Sequence, residues 1–244
     1  LLLAASVPIL MYREPPRPAR AARPTRAARP AAPGSPSPAP GVLASVRAAL
    51  ARPGMRRWLI VPATFKAGEW FATAMLRPYL ADRKQSLGEI GVMLGYAGFG
   101  SALLGALLGG AATTGLGRRR ALLVFGSLQT LAIASLALAV WYPSVPMFYA
   151  VSVAEHFTSS MATAALFTAM MDFSRPEEAG TDYTLQASLV VIATAIATLL
   201  SGFSAKALGY DAHFLAAAVL SLGGVLAVLT YRPSHPDFAL LGPR

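Results

Sequence analysis

Residues 151–172 read VSVAEHFTSSMATAALFTAMMD and set Glu155 and His156 side by side in a run that is otherwise apolar or small. A second ionisable pair, Lys66 and Glu69, stands in an equally greasy stretch nearer the start of the chain. A carboxyl group screened from water favours its neutral form, so Glu69 and Glu155 have the chemistry of proton carriers. Lys66 and Glu69 are three apart, share one helix face and can neutralise each other. A structural ion pair joining two helices is the alternative reading of the same residues. Consecutive residues diverge by about 100° on a helix, so Glu155 and His156 cannot both point the same way. One is expected to face a cavity while the other bonds a neighbouring helix. Arg77 and Lys206 lie near the ends of their stretches, where a long stem lets the charge reach water; Arg77 could also bind an anion.

Enzyme chemistry finds no support in the motifs. Glu155-His156 is not a zinc-binding HExxH pair, and three scattered histidines without cysteine make no metal site. GFGSALLG (98–105) and GFSAKALG (202–209) lack a nucleophile elbow, and GLGRRR lacks the third glycine of a dinucleotide loop. No cofactor is expected.

The elements that hold these residues follow from composition. The chain has 244 residues, of which 55% are hydrophobic and 13% charged. That charge content is about half of the ~25% usual in soluble domains. Too little polar surface remains to cover a water-soluble core of this size, whereas lipid demands none. A net charge of +10 could suggest nucleic acid, but ten of the 21 basic residues fall in 13–57, ahead of the main apolar segments. Residues 13–55 form a basic Pro/Ala/Arg-rich linker that cannot build a core, with a short surface helix expected over 41–51. Anionic lipid or nucleic acid could bind such a segment; a solvated linker that sets membrane orientation is the simpler reading. Residues 1–12 read as the end of a preceding apolar helix, and 232–244 as a cytoplasmic tail.

Between them lies an expected six-helix bundle over 56–231. Its apolar stretches run at about 57–80, 87–113, 120–141, 147–171, 184–208 and 213–231. Each meets or approaches the roughly 20 residues a helix needs to cross a bilayer. Backbone groups in lipid must be satisfied within the segment, so the spans are helical. Glu155 and His156 then sit roughly 12 Å deep, counting 1.5 Å per residue from the outer end. An ionisable group in mid-membrane costs at least ~2.5–3.5 kcal/mol, which makes these residues functional candidates. With the linker in the cytoplasm, sixteen of the 21 basic residues are cytoplasmic, as the positive-inside rule requires. Trp58, Trp70 and Trp141 fall near span ends, where two of them could join an interfacial aromatic belt. In the second span Gly88, Gly91, Gly95, Gly98, Ala102, Gly105 and Gly109 make a small-residue stripe, a seam for close helix approach or for sliding.

Four stretches resemble a known family. GAATTGLGRRR (110–120) is similar to the cytoplasmic loop signature of the major facilitator superfamily, matched by Gly110, Gly117, Arg118 and Arg120. Thr114 stands where that signature has an acid. KAGEWFATAMLRPYL (66–80) resembles the seventh helix of the branch holding muropeptide and siderophore permeases, with its Lys-x-Gly-acid pattern. AEHFTSSMATAALFTAMMD and AGTDYTLQASL (179–189) are similar to its tenth and eleventh helices, and the fuller wording is nearest to pyochelin- and rhizobactin-type siderophore permeases. The resemblance implies an all-α membrane protein: six helices forming the C-terminal half of a twelve-helix fold with 3+3 inverted repeats.

It further implies a proton-coupled transporter of the inner membrane that takes up a siderophore or similar polar metabolite by alternating access. The substrate and proton pathway would use Lys66, Glu69, Arg77, Glu155 and His156. The cytoplasmic gating loop would use Gly110, Gly117, Arg118 and Arg120. The implied partners are the lipid bilayer, a small-molecule substrate and the missing N-terminal six-helix half, with no nucleic acid. A non-transporting membrane scaffold, a truncated gene remnant or an intramembrane enzyme are the competing readings.

Overall fold

Two prolines shape the first apolar stretch. Pro62 and Pro78 each lack the N–H that would bond the carbonyl four residues back; the chain stays helical across Pro62 as far as Phe65, whereas the Ala74 carbonyl left by Pro78 adjoins a break at Met75. In the computed structural model, which describes residues 41–230, this stretch is three helices: α2 (Met55–Phe65), α3 (Ala67–Thr73) and α4 (Leu76–Asp82). The joints fall at Lys66 (φ −96°, ψ −10°) and Met75 (φ −97°, ψ −2°). Ahead of them the short helix expected over 41–51 forms as α1 (Val42–Ala51). Pro53 forces Arg52 into an extended conformation, and Gly54 at φ 83° turns the chain into α2. The expected helix end at 1–12, most of the basic linker and the tail lie outside the described residues.

The second stretch opens on a capping box. Ser86 Oγ accepts from the Glu89 N–H at 3.2 Å, and the Glu89 carboxylate accepts from the Ser86 N–H at 2.8 Å. It continues as α5 (Leu87–Ile90), a π-wound segment Gly91–Ala97 and α6 (Gly98–Leu116). Gly117, at φ 77°, turns the chain into α7 (Arg118–Trp141). Ser144 and Pro146 then open α8 (Val145–Asp172). After a 3-10 turn at Pro176–Glu178 comes α9 (Ala179–Thr230), which Gly209 (φ 80°, ψ 166°) splits into limbs 179–208 and 210–230.

Helices thus form over all six apolar stretches. By length and composition three of the helical stretches can cross a membrane: Leu87–Leu116, Arg118–Trp141 and Pro176–Thr230. The first stretch falls outside that set because it is broken. Helix α8 falls outside it because Glu155, His156 and its hydroxyl residues lower its hydropathy.

The packing order is α6 on α8, α8 on α7, α7 on α9, and α9 on α2 and α3. Side chains bury into two apolar clusters. One contains Trp58, Phe65, Phe125, Leu166, Met170 and Val225. The other contains Leu76, Tyr79, Ile133, Leu136, Phe148 and Phe214. Large apolar side chains also cover the outside, among them Leu103, Leu107, Ile192, Leu199, Phe203 and Val219. A surface this greasy is matched to hydrocarbon, not water.

Half of the glycine stripe is a packing seam. A Cβ on Gly105 would strike the Phe157 carbonyl oxygen, and one on Gly109 would lie 2.5 Å from Met161 Cα. Gly88, Gly91 and Gly95, by contrast, face open space or only a distant side chain. The seam runs Gly98, Ser101, Gly105, Gly109, Thr113, so Ser101 and not Ala102 holds its second place. Of the three tryptophans, Trp70 and Trp141 are exposed as an interfacial belt requires, whereas Trp58 is buried.

Candidate functional site

The joint between α2 and α3 places Lys66 inside the bundle, 4% exposed. Its ammonium is paired with Glu69 and donates to Thr163 Oγ1 at 2.7 Å and Ser159 Oγ at 3.3 Å. Three donors meet three acceptors, so the buried charge is fully satisfied. The Lys66–Glu69 pair is therefore also a tie between the first stretch and α8. Close approach of backbones holds the joint in place. A side chain on Gly68 would strike the Ser221 backbone, and one on Gly224 would come 2.8 Å from Phe65 Cα.

Glu155 and His156 meet each other. Glu155 is 1% exposed, and its Oε2 lies 2.9 Å from His156 Nδ1, which is also 2.9 Å from the Ser152 carbonyl oxygen. Both neighbours of Nδ1 are acceptors, so that nitrogen carries a hydrogen. Instead of diverging, the carboxylate has folded back onto the ring of the next residue. The ring rests against Gly98, where a Cβ would lie 2.9 Å from Cδ2. The other carboxylate oxygen, Glu155 Oε1, is buried without a hydrogen-bond partner, as is Ser152 Oγ one turn before it. Glu155 also acts electrostatically on Lys66, and Arg77 on His156, which draws the two ionisable pairs into one electrostatic group. Arg77 itself is exposed.

Sequence reasoning singled out the charges and passed over the hydroxyls that support them. Ser152, Glu155, Ser159 and Thr163 recur every three or four residues along α8, the period of one helix face. That signal was present in the quoted run. Gln129, Thr130 and Ser221 add polar groups from α7 and α9, with Thr130 and Ser221 hydroxyls 2.8 Å apart. Buried His213 was also missed. Its Nε2 donates to the Phe71 carbonyl at 3.0 Å and its Nδ1 lies 3.1 Å from Ser204 Oγ. Met75, four residues after Phe71, bonds Ala72 instead at the α3–α4 joint, so the histidine satisfies a carbonyl the break leaves free.

At one end of the bundle the loop residues have separate tasks. Gly117 makes the turn, and Arg118 Nε lies 2.5 Å from Asp172 Oδ2 on α8. Thr114 turns back on its own helix, donating to the Ala111 carbonyl at 2.6 Å. Gly110 adjoins open space and Arg120 is exposed. Nearby, fully buried Asp182 is held as a carboxylate by Arg175 (2.6 and 2.8 Å) and Arg52 (3.1 Å). Gln186 accepts from Trp58 Nε1 at 2.6 Å and donates to the Met170 carbonyl at 3.1 Å. This network ties α1, α2, α8 and α9 together, and no motif in the sequence announced it.

Among the described residues no three His, Asp or Glu side chains converge as a metal site. What the arrangement can do is hold, release and re-pair protons or charged groups on Lys66, Glu69, Glu155 and His156.

Comparison with known proteins agrees with a membrane carrier. An anhydromuropeptide permease of Escherichia coli K12 is 26% identical over 197 residues, covering 78% of this chain and 39% of the permease. An uncharacterized protein of Haemophilus influenzae is 26% identical over 180 residues, covering 69% of this chain and 42% of that protein. The chain thus spans about two fifths of the length of these relatives. Residues 63–241 match the Major Facilitator Superfamily. That match takes in the polar cluster, the α6–α7 turn and both limbs of α9, and on it the chain belongs to the Major Facilitator Superfamily, a family of membrane transporters and not of enzymes.

Proposed function

We propose that this chain forms the six-helix C-terminal half of a proton-coupled permease of the inner membrane, completed by an N-terminal half of six helices. The observation that carries the reading is Glu155, a buried carboxylate with one oxygen free and the other on His156, within electrostatic reach of Lys66. A proton arriving on Oε1 removes the negative charge that faces Lys66. Glu69 is then the one carboxylate still charged beside the ammonium, and the balance between two conformations shifts by the difference in charge pairing. The broken first stretch supports the same reading, because discontinuous helices in transporters flank the substrate site. Alternating access follows when the halves, each with 3+3 inverted repeats, rock about the midplane. The linker and the Arg118 end of the bundle lie in the cytoplasm, on the positive-inside argument.

The cargo is a small polar solute. The wording of helices in 66–80 and 154–189 favours a siderophore. The name of the Escherichia coli relative favours an anhydromuropeptide as the second reading. Uptake by the full-length gene product tests the coupling. Glu155→Gln, Glu69→Gln and a protonophore are each expected to reduce uptake at least tenfold, and unchanged uptake under all three refutes it. Growth on single iron chelates against anhydromuropeptides as sole sources separates the two cargoes.

A further inference from the structure

The elbow between α1 and α2 carries charge that neither the polar cluster nor the α6–α7 turn uses. Leu50, Ala51, Arg52, Pro53, Gly54, Arg56 and Arg57 line a groove of about 600 Å³ there. Arg52 is fixed on one side of it by Asp182 and by the Phe173 carbonyl, at 3.1 and 3.0 Å. Arg56 and Arg57 are exposed and have no ion-pair partner among the described residues. No acid lies in the first turn of α2 and no side chain caps it. Three guanidinium groups therefore line a recess with, among the described residues, no counter-charge beyond the Asp182 carboxylate already bonded to Arg52. Guanidinium forks suit the paired oxygens of a phosphate.

The position of the groove decides which phosphate. It lies where α2 begins its apolar run, and Ile60, one turn from Arg56 on the same helix face, is exposed. Leu50 supplies apolar surface at the rim. A free anion or a nucleic acid has nothing to lay along Ile60, whereas a phospholipid has its acyl chain there. We propose that the groove at the α1–α2 elbow binds the phosphate of an anionic phospholipid, with Arg56 and Arg57 holding the headgroup beside the fixed Arg52 and the acyl chain following Ile60. Basic residues at the edge of a membrane segment are the recognised determinants of such headgroup contacts.

The test uses the full chain purified in mixed micelles. Phosphatidylglycerol is expected to raise the Tm by roughly 5 °C over phosphatidylcholine, an effect that weakens with added salt. Arg56→Gln/Arg57→Gln removes that rise and leaves the Tm in phosphatidylcholine unchanged. A rise retained in this variant, or lost equally in Arg120→Gln, overturns the assignment. Inorganic phosphate matching the phosphatidylglycerol effect overturns the lipid source. Should the double variant fail to fold, photoactivatable phosphatidylglycerol on the unaltered chain gives an independent readout: labelling centred on residues 50–60 is expected, and labelling elsewhere alone overturns the proposal.

Discussion

Helix α8 makes two kinds of contact on its two sides. Against α6 it packs backbone to backbone at Gly105 and Gly109, which give way to Phe157 and Met161, with the His156 ring seated on Gly98 at one end. Against the α2–α3 joint it reaches across with side chains, Ser159 and Thr163 holding Lys66 beside Glu69. At Gly105 and Gly109 the first contact depends on shape. The second depends on where charges and hydrogens sit, and can be re-paired. One helix thus presents backbone to one neighbour and polar side chains to the other.

Changing residues on each side separates the two. Lys66→Met leaves the Glu69 carboxylate at the α2–α3 joint without its cation, a loss of about 3–5 kcal/mol. Thermal unfolding in detergent checks this, and Lys66→Met/Glu69→Leu is expected to regain much of the stability without regaining uptake. Gly105→Val comes next. Its branched side chain meets the Phe157 backbone, which cannot rotate aside, at a cost of about 1–3 kcal/mol or more in the same assay. Gly95→Ala lies on the same stripe but adjoins open space, so its effect is within about 1 kcal/mol and tends to stabilise the helix. If Gly95→Ala proved as damaging as Gly105→Val, the division of the stripe into a seam and an open half would fail.

Periodicity and composition made the helical stretches, their turns and the ionisable residues readable in the chain itself. Ser144, Gly117 and Gly209 sit at turns for local reasons, and local reasons are visible in one dimension. The interruption at Met75 had a local signal too, in Pro78, but membrane helices often carry proline without breaking, as α2 does at Pro62. What stayed hidden depends on tertiary meeting. Arg52 and Asp182 are 130 positions apart, and Trp58 and Gln186 are 128 apart. No periodicity relates such residues. Arg118 shows the same limit: with Thr114 in the place of the acid its charge looked unmatched, yet Asp172 reaches it from another helix. The bond between Glu155 and His156 ran against the geometry of adjacent helix positions, because side-chain flexibility can undo the angular separation of their Cα atoms.

The interior is not one hydrophobic mass. It holds two apolar blocks, one around Trp58 and Phe125 and the other around Tyr79 and Phe148. Helices α7, α8 and α9 run through both and carry buried polar residues between them, Gln129 on α7, Glu155 and Ser159 on α8 and Ser221 on α9. The polar level of the interior is therefore bounded by apolar packing towards both ends.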